Sequence, residues 1–259
     1  MSGSDETRRR RIEREFGVPI AGEILHESQW THTAIKKLPE GLLDLQETFG
    51  RSAPLVLDLG CGNGRYLLST AVWRPTHDHL GVDSLPVVIR YATRRANQRG
   101  LTNIRFAVIG GKELLERHIA PASVAEIHCY HPQPYYEPSE VHKRLVTPAF
   151  LALVHRALKP DGLFVLQTDN PGYWKYMKSV APVFFHFEEQ RTPWLEAPKG
   201  RTRREILALK RGLPVSRGVG RPRANLTEAE AIKLAETLPP PTFDADRRLH
   251  ELDRLEREG

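Results

Sequence analysis

Five apolar runs, each followed by a helical pattern, constrain this chain more than any other feature. LVLDLG (55–60) precedes RYLLSTAVW, HLGVD (79–83) precedes PVVIRYATRRANQ, and IRFAVI (104–109) precedes KELLERH. VAEIHCY (124–130) then precedes TPAFLALVHRAL, and LFVLQTD (163–169) precedes YWKYMKSVA. Strands alternating with helices of this length predict βαβ units and a parallel sheet. The runs are continuously apolar, as in strands covered on both faces. A doubly wound α/β domain with helices on both faces follows, and 259 residues at 40% hydrophobic content can fill its core.

The flanks read differently. Residues 1–17 form a basic tail, expected to be mobile, with Arg8–Arg11 beside acids that partly cancel them. The domain itself is placed at 18–224, and a C-terminal helical arm at 225–259. Thr227-x-x-Glu230 is a capping-box pattern before AEAIKLAETL; PPP (239–241) then breaks the chain, and ADRRLHELDRLERE (245–258) reads as a second, highly charged helix. Cys61 and Cys129 lack metal-like spacing and read as reduced thiols; no metal site is expected. With no apolar run of transmembrane length and no signal-peptide pattern, a soluble, cytoplasmic protein that does not meet the membrane is expected, as monomer or homodimer.

Net charge is +6, and it is concentrated: Lys199 to Arg223 holds nine basic residues against one acid, Glu205. Such a cluster meets an anionic partner or forms a solvated face, and this concentration points toward nucleic acid.

Two turns carry chemistry. DLGCGNGRY (58–66) leaves a strand and opens a helix. Gly60 and Gly62 let the backbone pass close to a ligand, and Gly64 lets the helix approach the strand. Asp58 ends the strand before them, and Asp83 ends the next strand, placed to accept from ribose hydroxyls. The spacing is G-x-G-x-G rather than the dinucleotide G-x-G-x-x-G, so a nicotinamide cofactor ranks below a nucleoside cofactor. The second turn is HCYHPQPYYEP (128–138), where Pro132 and Pro134 clamp Gln133 between aromatics. Proline fixes its own φ and restrains the residue before it, so one amide is displayed stiffly at a strand end. Tyr130, Tyr135 and Tyr136 suit stacking on a base or packing at a rim. Trp30 and His32 lie upstream without an assignment.

From about Leu55 to Val215 the chain resembles the bacterial tRNA (guanine-N7)-methyltransferase family, within the class I S-adenosylmethionine-dependent methyltransferases. HPQPY (131–135) falls where that family carries a Phe-Pro-Asp-Pro-Trp box; KRLVTPAFL and Thr168-Asp169-Asn170 with Tyr173 and Met177 also match. Thr202-Arg203-Arg204-Glu205 corresponds to the family's Thr-x-x-Glu element. The resemblance implies a mostly parallel seven-stranded sheet with an antiparallel last strand, S-adenosylmethionine as cofactor, and tRNA or another structured RNA as partner. It implies Gln133 and Asp169 as catalytic residues. For the cofactor it implies Asp58, Gly60, Gly62, Gly64, Asp83 and Gly111; for the substrate, Asp169, Thr202, Glu205, Arg144 and Tyr135.

The departures are specific. Gln133 stands where the family has its catalytic aspartate, and His131 and Tyr135 replace the flanking Phe and Trp. Glu137, Ser139 and Glu140 occupy usually basic or His positions, and Gly110-Gly111-Lys112 replaces an acidic or amide contact to adenine. Methyl transfer to guanine N7 in tRNA is the expectation. Methylation of a different RNA or a small molecule, or a silent cofactor- or RNA-binding homologue, are the alternatives that Gln133 keeps open.

Overall fold

A computed structural model describes residues 12–245 and Arg254. Arg8–Arg11, and all but Ala245 and Arg254 of the charged helix expected over 245–258, lie outside the described residues. In chain order the elements are β1 (Arg14–Glu15), β2 (Val18–Pro19), β3 (Ala34–Ile35), α1 (Leu45–Phe49), β4 (Leu55–Leu59) and α2 (Arg65–Trp73). Next come β5 (Asp78–Asp83), α3 (Pro86–Gln98), β6 (Ile104–Val108), α4 (Gly111–Arg117), β7 (Val124–Tyr130) and α5 (Pro148–Ala157). β8 (Leu158–Thr168), α6 (Pro171–Phe184), β9 (Phe185–Glu189), α7 (Arg203–Lys210), β10 (Ser216–Pro222) and α8 (Glu228–Thr237) complete the described fold.

The main sheet runs β3-β6-β5-β4-β7-β8-β10-β9, parallel from β3 to β8, with β10 antiparallel to both neighbours. The seven expected strands are present, and β3 is an eighth, two-residue strand at the edge. Two residues carry no periodicity, which is why the sequence does not announce it.

Period-2 alternation sorts the side chains of β4. Leu55, Leu57 and Leu59 enter the core shared with α4, α5 and α6, whereas Val56 enters the opposite core with residues of α2 and α3. Asp58 shares the parity of Val56. Because β4 pairs in register with both β5 and β7, the loops after these three strands leave side by side at one sheet edge. That edge is where open α/β sheets hold ligands.

Both flanks are tied to the domain. Residues 12–20 are not a loose tail: β1 and β2 pair as a hairpin, Ile20 is fully buried, and Glu13 bonds Arg95 and Arg99. Residues 13–20 are therefore docked on the sheet domain. Glu15 is the hub of this docking. Its carboxylate accepts from Asn63 Nδ2 at 2.7 Å and meets Arg65, Arg95 and Arg203 at 3.3–3.5 Å. At the other end the Thr227–Glu230 capping box forms as expected, and α8 packs on α5. The proline-rich segment then returns over α6: Pro239 carbonyl accepts from Tyr176, and Phe243 stacks on Tyr173 at 4.6 Å. Among the described residues no helix is long and apolar enough to cross a membrane.

Candidate active site

The Gly-rich turn is built as a cradle. Gly60, Gly62 and Gly64 all have φ between +51° and +80°, the left-handed region. A Cβ on Gly60 or Gly62 would meet nothing within 4 Å, whereas one on Gly64 would lie 2.8 Å from Ala92 Cβ. The first two glycines thus face open space and the third lets α2 close on α3. Asp83 holds the cradle's shape, its Oδ2 accepting from Gly62 N–H at 3.2 Å and its Oδ1 from Leu85 N–H at 2.9 Å. Gly111 opens α4, where a Cβ would come 3.1 Å from Leu59 Cβ.

Asp58 is 2% exposed, and its Oδ1 has no hydrogen-bond partner. Burial, with the Asp83 charge adding to it, pushes its carboxyl up to about 8. An orphaned buried carboxyl beside a glycine turn with open space fits S-adenosylmethionine, whose cationic groups would restore the ionised form. The sign of the stability effect follows. Between about pH 4, where the unfolded carboxyl titrates, and about 8, the folded state holds the extra proton, so stability falls as pH rises. Asp58→Asn should abolish that fall, read from urea unfolding midpoints of the cofactor-free protein at pH 5 and pH 8.

The second half of the site follows β7. His131 and Tyr135 sit at φ +48° and +42°, bracketing Pro132-Gln133-Pro134. Two non-glycine residues in the left-handed region within five positions mark backbone conformations that the surroundings must enforce. Arg144 supplies much of that enforcement. It is 3% exposed and donates to the carbonyls of Pro134 (2.6 Å), Tyr135 (2.9 Å) and Pro241 (2.6 Å), with Phe243 stacked 3.6 Å away. In this structure the guanidinium is spent on the turn and on the returning C-terminal segment. Both prolines are buried while Gln133 is exposed, and no described group bonds the Gln133 amide. Tyr135 is half-buried, with Lys143 Nζ 6.0 Å from its ring centre. Tyr130 is buried and accepts from Arg201 Nη1 at 2.7 Å, a packing role rather than base stacking.

Beneath the turn lies a buried polar network. Trp194 Nε1 donates to Gln167 Oε1 at 2.7 Å, and Gln167 Nε2 donates to His131 Nε2 at 2.9 Å. An indole nitrogen only donates, so the Gln167 amide orientation is determined. His131 Nε2 must then accept, and the proton sits on Nδ1, which donates to Asp169 Oδ1 at 3.1 Å. Arg204 Nε donates to Asp169 Oδ2 at 2.7 Å. Burial pulls the Asp169 carboxyl up, but the hydrogen bond from His131 and the Arg204 ion pair overcome it and hold the group well below the usual carboxylate range. Asp169 is an anchored anion, 5% exposed, and it fixes the turn through His131.

Thr202 and Glu205 form the start of α7. Thr202 is its N-cap, accepting from Glu205 N–H at 3.1 Å. Glu205 is 1% exposed; Oε1 accepts from Arg217 at 2.9 Å and Oε2 from the Arg201 N–H at 2.7 Å. In this structure Thr202 is a half-buried helix cap, and Glu205 is buried in an ion pair with Arg217. The basic stretch 199–223 changes meaning with it. Arg201 stacks on Trp194 at 3.6 Å, Arg203 meets Glu15, and Arg204 and Arg217 are buried against Asp169 and Glu205. Much of the positive charge therefore works internally. Gln167, Trp194 and Arg217 were not singled out beforehand; a lone glutamine inside the apolar run LFVLQTD was the available signal for the first.

A protein-family model described as "Putative methyltransferase" matches residues 52–216. A tRNA (guanine-N(7)-)-methyltransferase of Halorhodospira halophila is 31% identical over 187 residues, covering 72% of this chain and 81% of the relative. The enzyme of the same name from Alcanivorax borkumensis is 30% identical over 193 residues, covering 74% and 80% respectively. A solved 16S rRNA methyltransferase, KamB, shares the fold at 16% identity, with a TM-score of 0.55 over 74% of this chain and 98% of that one. With the Gly-rich cradle, the clamped turn after β7 and this extent of similarity together, the chain belongs to the tRNA (guanine-N7)-methyltransferase family.

Proposed function

We propose that this protein transfers the methyl group of S-adenosylmethionine to N7 of a guanine in tRNA, as the names of its relatives state for them. The observation that carries the reading is the pairing of two loops at one sheet edge. The open glycine cradle follows β4, and the clamped Gln133 turn follows the adjacent parallel strand β7. Asp83 would hold the ribose, Gly60 and Gly62 the adenosyl and methionine backbone, and Asp58 a cationic group. When bound, the cofactor supplies an electrophilic methyl carbon on a sulfonium sulfur.

The chain's residues then have a positioning task. Guanine N7 carries an in-plane lone pair and no proton, so no side chain needs to act as a base. Positive charge builds on the purine as the N7–carbon bond forms and the carbon–sulfur bond breaks. Gln133 would meet that charge with its carbonyl oxygen, a dipole where a carboxylate would bring a full charge. Asp169, already ion-paired with Arg204, would act through His131 by keeping the turn in place.

The test is methyl transfer from labelled S-adenosylmethionine to an unmodified tRNA pool, with nucleosides identified by mass spectrometry. 7-Methylguanosine is the expected product. Gln133→Asp should raise the rate on the order of 10- to 100-fold, since a charge-assisted hydrogen bond contributes roughly 1.5–3 kcal/mol. Cofactor binding with no methylated guanine would overturn the reading. A second reading, methylation of another nucleoside or another RNA, is favoured by one observation: Asp169 and Glu205 are both committed to arginines, and Gln133 is neutral. A different methylated nucleoside in the same assay would establish it.

A further inference from the structure

A cavity lies away from the cradle and the turn, between α3 and the edge strand β3. It encloses about 440 Å³ and runs along α3 from Pro86 to Asn97, floored by Ile35 and Phe106. β3 is only two residues long, so the sheet edge under α3 has little to fill it. Three features make the cavity chemically specific. Lys36, Arg90 and Arg94 line it, all exposed and without a hydrogen bond or ion pair to any described residue, and no acidic residue lines it. Trp30, 38% exposed, presents an aromatic surface in one wall. Inside, the buried Thr93 Oγ1 has no hydrogen-bond partner. Asn97 uses its Oδ1 on Thr33 and leaves its Nδ2 without a described partner.

An apolar floor, an aromatic wall, unspent polar groups and a cationic rim match one chemistry: an unstacked nucleobase with its flanking phosphates. The cavity also adjoins the cofactor edge in sequence. Pro86 lies three residues after Asp83, and Val108 two before Gly110. One wall, residues 30–38, lies upstream of the span 52–216 that matches the family model, so this groove is not implied by that match. We infer that the α3–β3 groove binds a second, unpaired nucleotide of the RNA substrate, its base on the apolar floor beside Trp30 and its phosphates on Lys36, Arg90 and Arg94. The inference rests on the proposed tRNA reading for the identity of the RNA.

The experiment measures tRNA binding by fluorescence anisotropy across a salt series, for wild type, Arg90→Gln/Arg94→Gln and Trp30→Ala. Two lost phosphate contacts should weaken binding about tenfold or more and lower the slope of log K against log salt by roughly 1.5. Trp30→Ala should weaken binding by about fivefold or more without changing the slope. Cofactor affinity and the rate at saturating tRNA should stay at wild-type values in all variants, which separates this outcome from loss of the fold. Unchanged tRNA affinity, or weakened affinity with an unchanged slope in the arginine variant, overturns the groove. The two readings fail separately. 7-Methylguanosine formation with unaffected groove variants sinks the groove alone. Groove-dependent RNA binding without 7-methylguanosine sinks the guanine N7 reading alone. A wild-type protein that does not bind tRNA sinks both.

Discussion

Asp83→Ala is expected to weaken S-adenosylmethionine binding by about 10²- to 10³-fold. A carboxylate at the end of β5 would accept from two vicinal ribose hydroxyls, and each charge-assisted hydrogen bond contributes roughly 1.5–3 kcal/mol. Two of them are worth about 3–4 kcal/mol or more, which sets the fold-change. The same side chain also caps Gly62 N–H and Leu85 N–H, so alanine loosens the cradle as well. Asp83→Asn separates the two contributions: one amide oxygen still accepts, and the loss should fall to roughly tenfold. Isothermal titration calorimetry measures both, and an unchanged Kd for the alanine variant would place the ribose elsewhere.

Asp169→Ala should be the most destabilising single change at the site, by roughly 3–5 kcal/mol in urea unfolding, because it leaves Arg204 buried beside an emptied position. Asp169→Ala combined with Arg204→Met should recover part of that loss, since the two charges of the pair then leave the interior together. A double variant as unstable as the single one would show that the pair is not what the site depends on. The pH dependence has a definite sign. The folded carboxyl titrates below its unfolded value, so its contribution is full above about pH 4 and disappears only as pH falls through the lower folded value. Both single and double variants should lose methyl transfer together with turn geometry, while cofactor affinity stays near wild type.

Which parts of this molecule could be read in advance depends on how local their causes are. The five strands from β4 to β8 were legible because burial on both faces writes a continuous apolar run. The glycine turn and the Thr227–Glu230 capping box were legible because each is a few residues acting on their own backbone. The fates of the charged residues were not. Counting nine cations between Lys199 and Arg223 says nothing of Asp169 or Glu15, which arrive from distant parts of the chain and neutralise Arg204 and Arg203. The bonds of Arg144 were hidden for the same reason, since one of its acceptors, the Pro241 carbonyl, lies 97 residues away. The rigidity of the Gln133 turn was foreseen from its two prolines. Its actual scaffold, the Trp194–Gln167–His131–Asp169 chain, joins three elements that no local pattern connects.

Glu15 gives the protein a schedule as well as a shape. Its carboxylate joins Asn63 in the cofactor turn to Arg203 at the start of α7, and those last two partners are separated from it by 48 and 188 residues. Ribosomes add about 5–20 residues per second, so Arg203 follows Glu15 by roughly 10–40 s. Once Arg95 has been made, 80 residues after Glu15, the hairpin can dock on Asn63, Arg65 and Arg95 but cannot yet clasp α7. The cofactor half of the molecule thus has time to assemble before the half that carries Thr202 and Glu205 exists, and the last clasp awaits α7, with β10 and α8 still to follow.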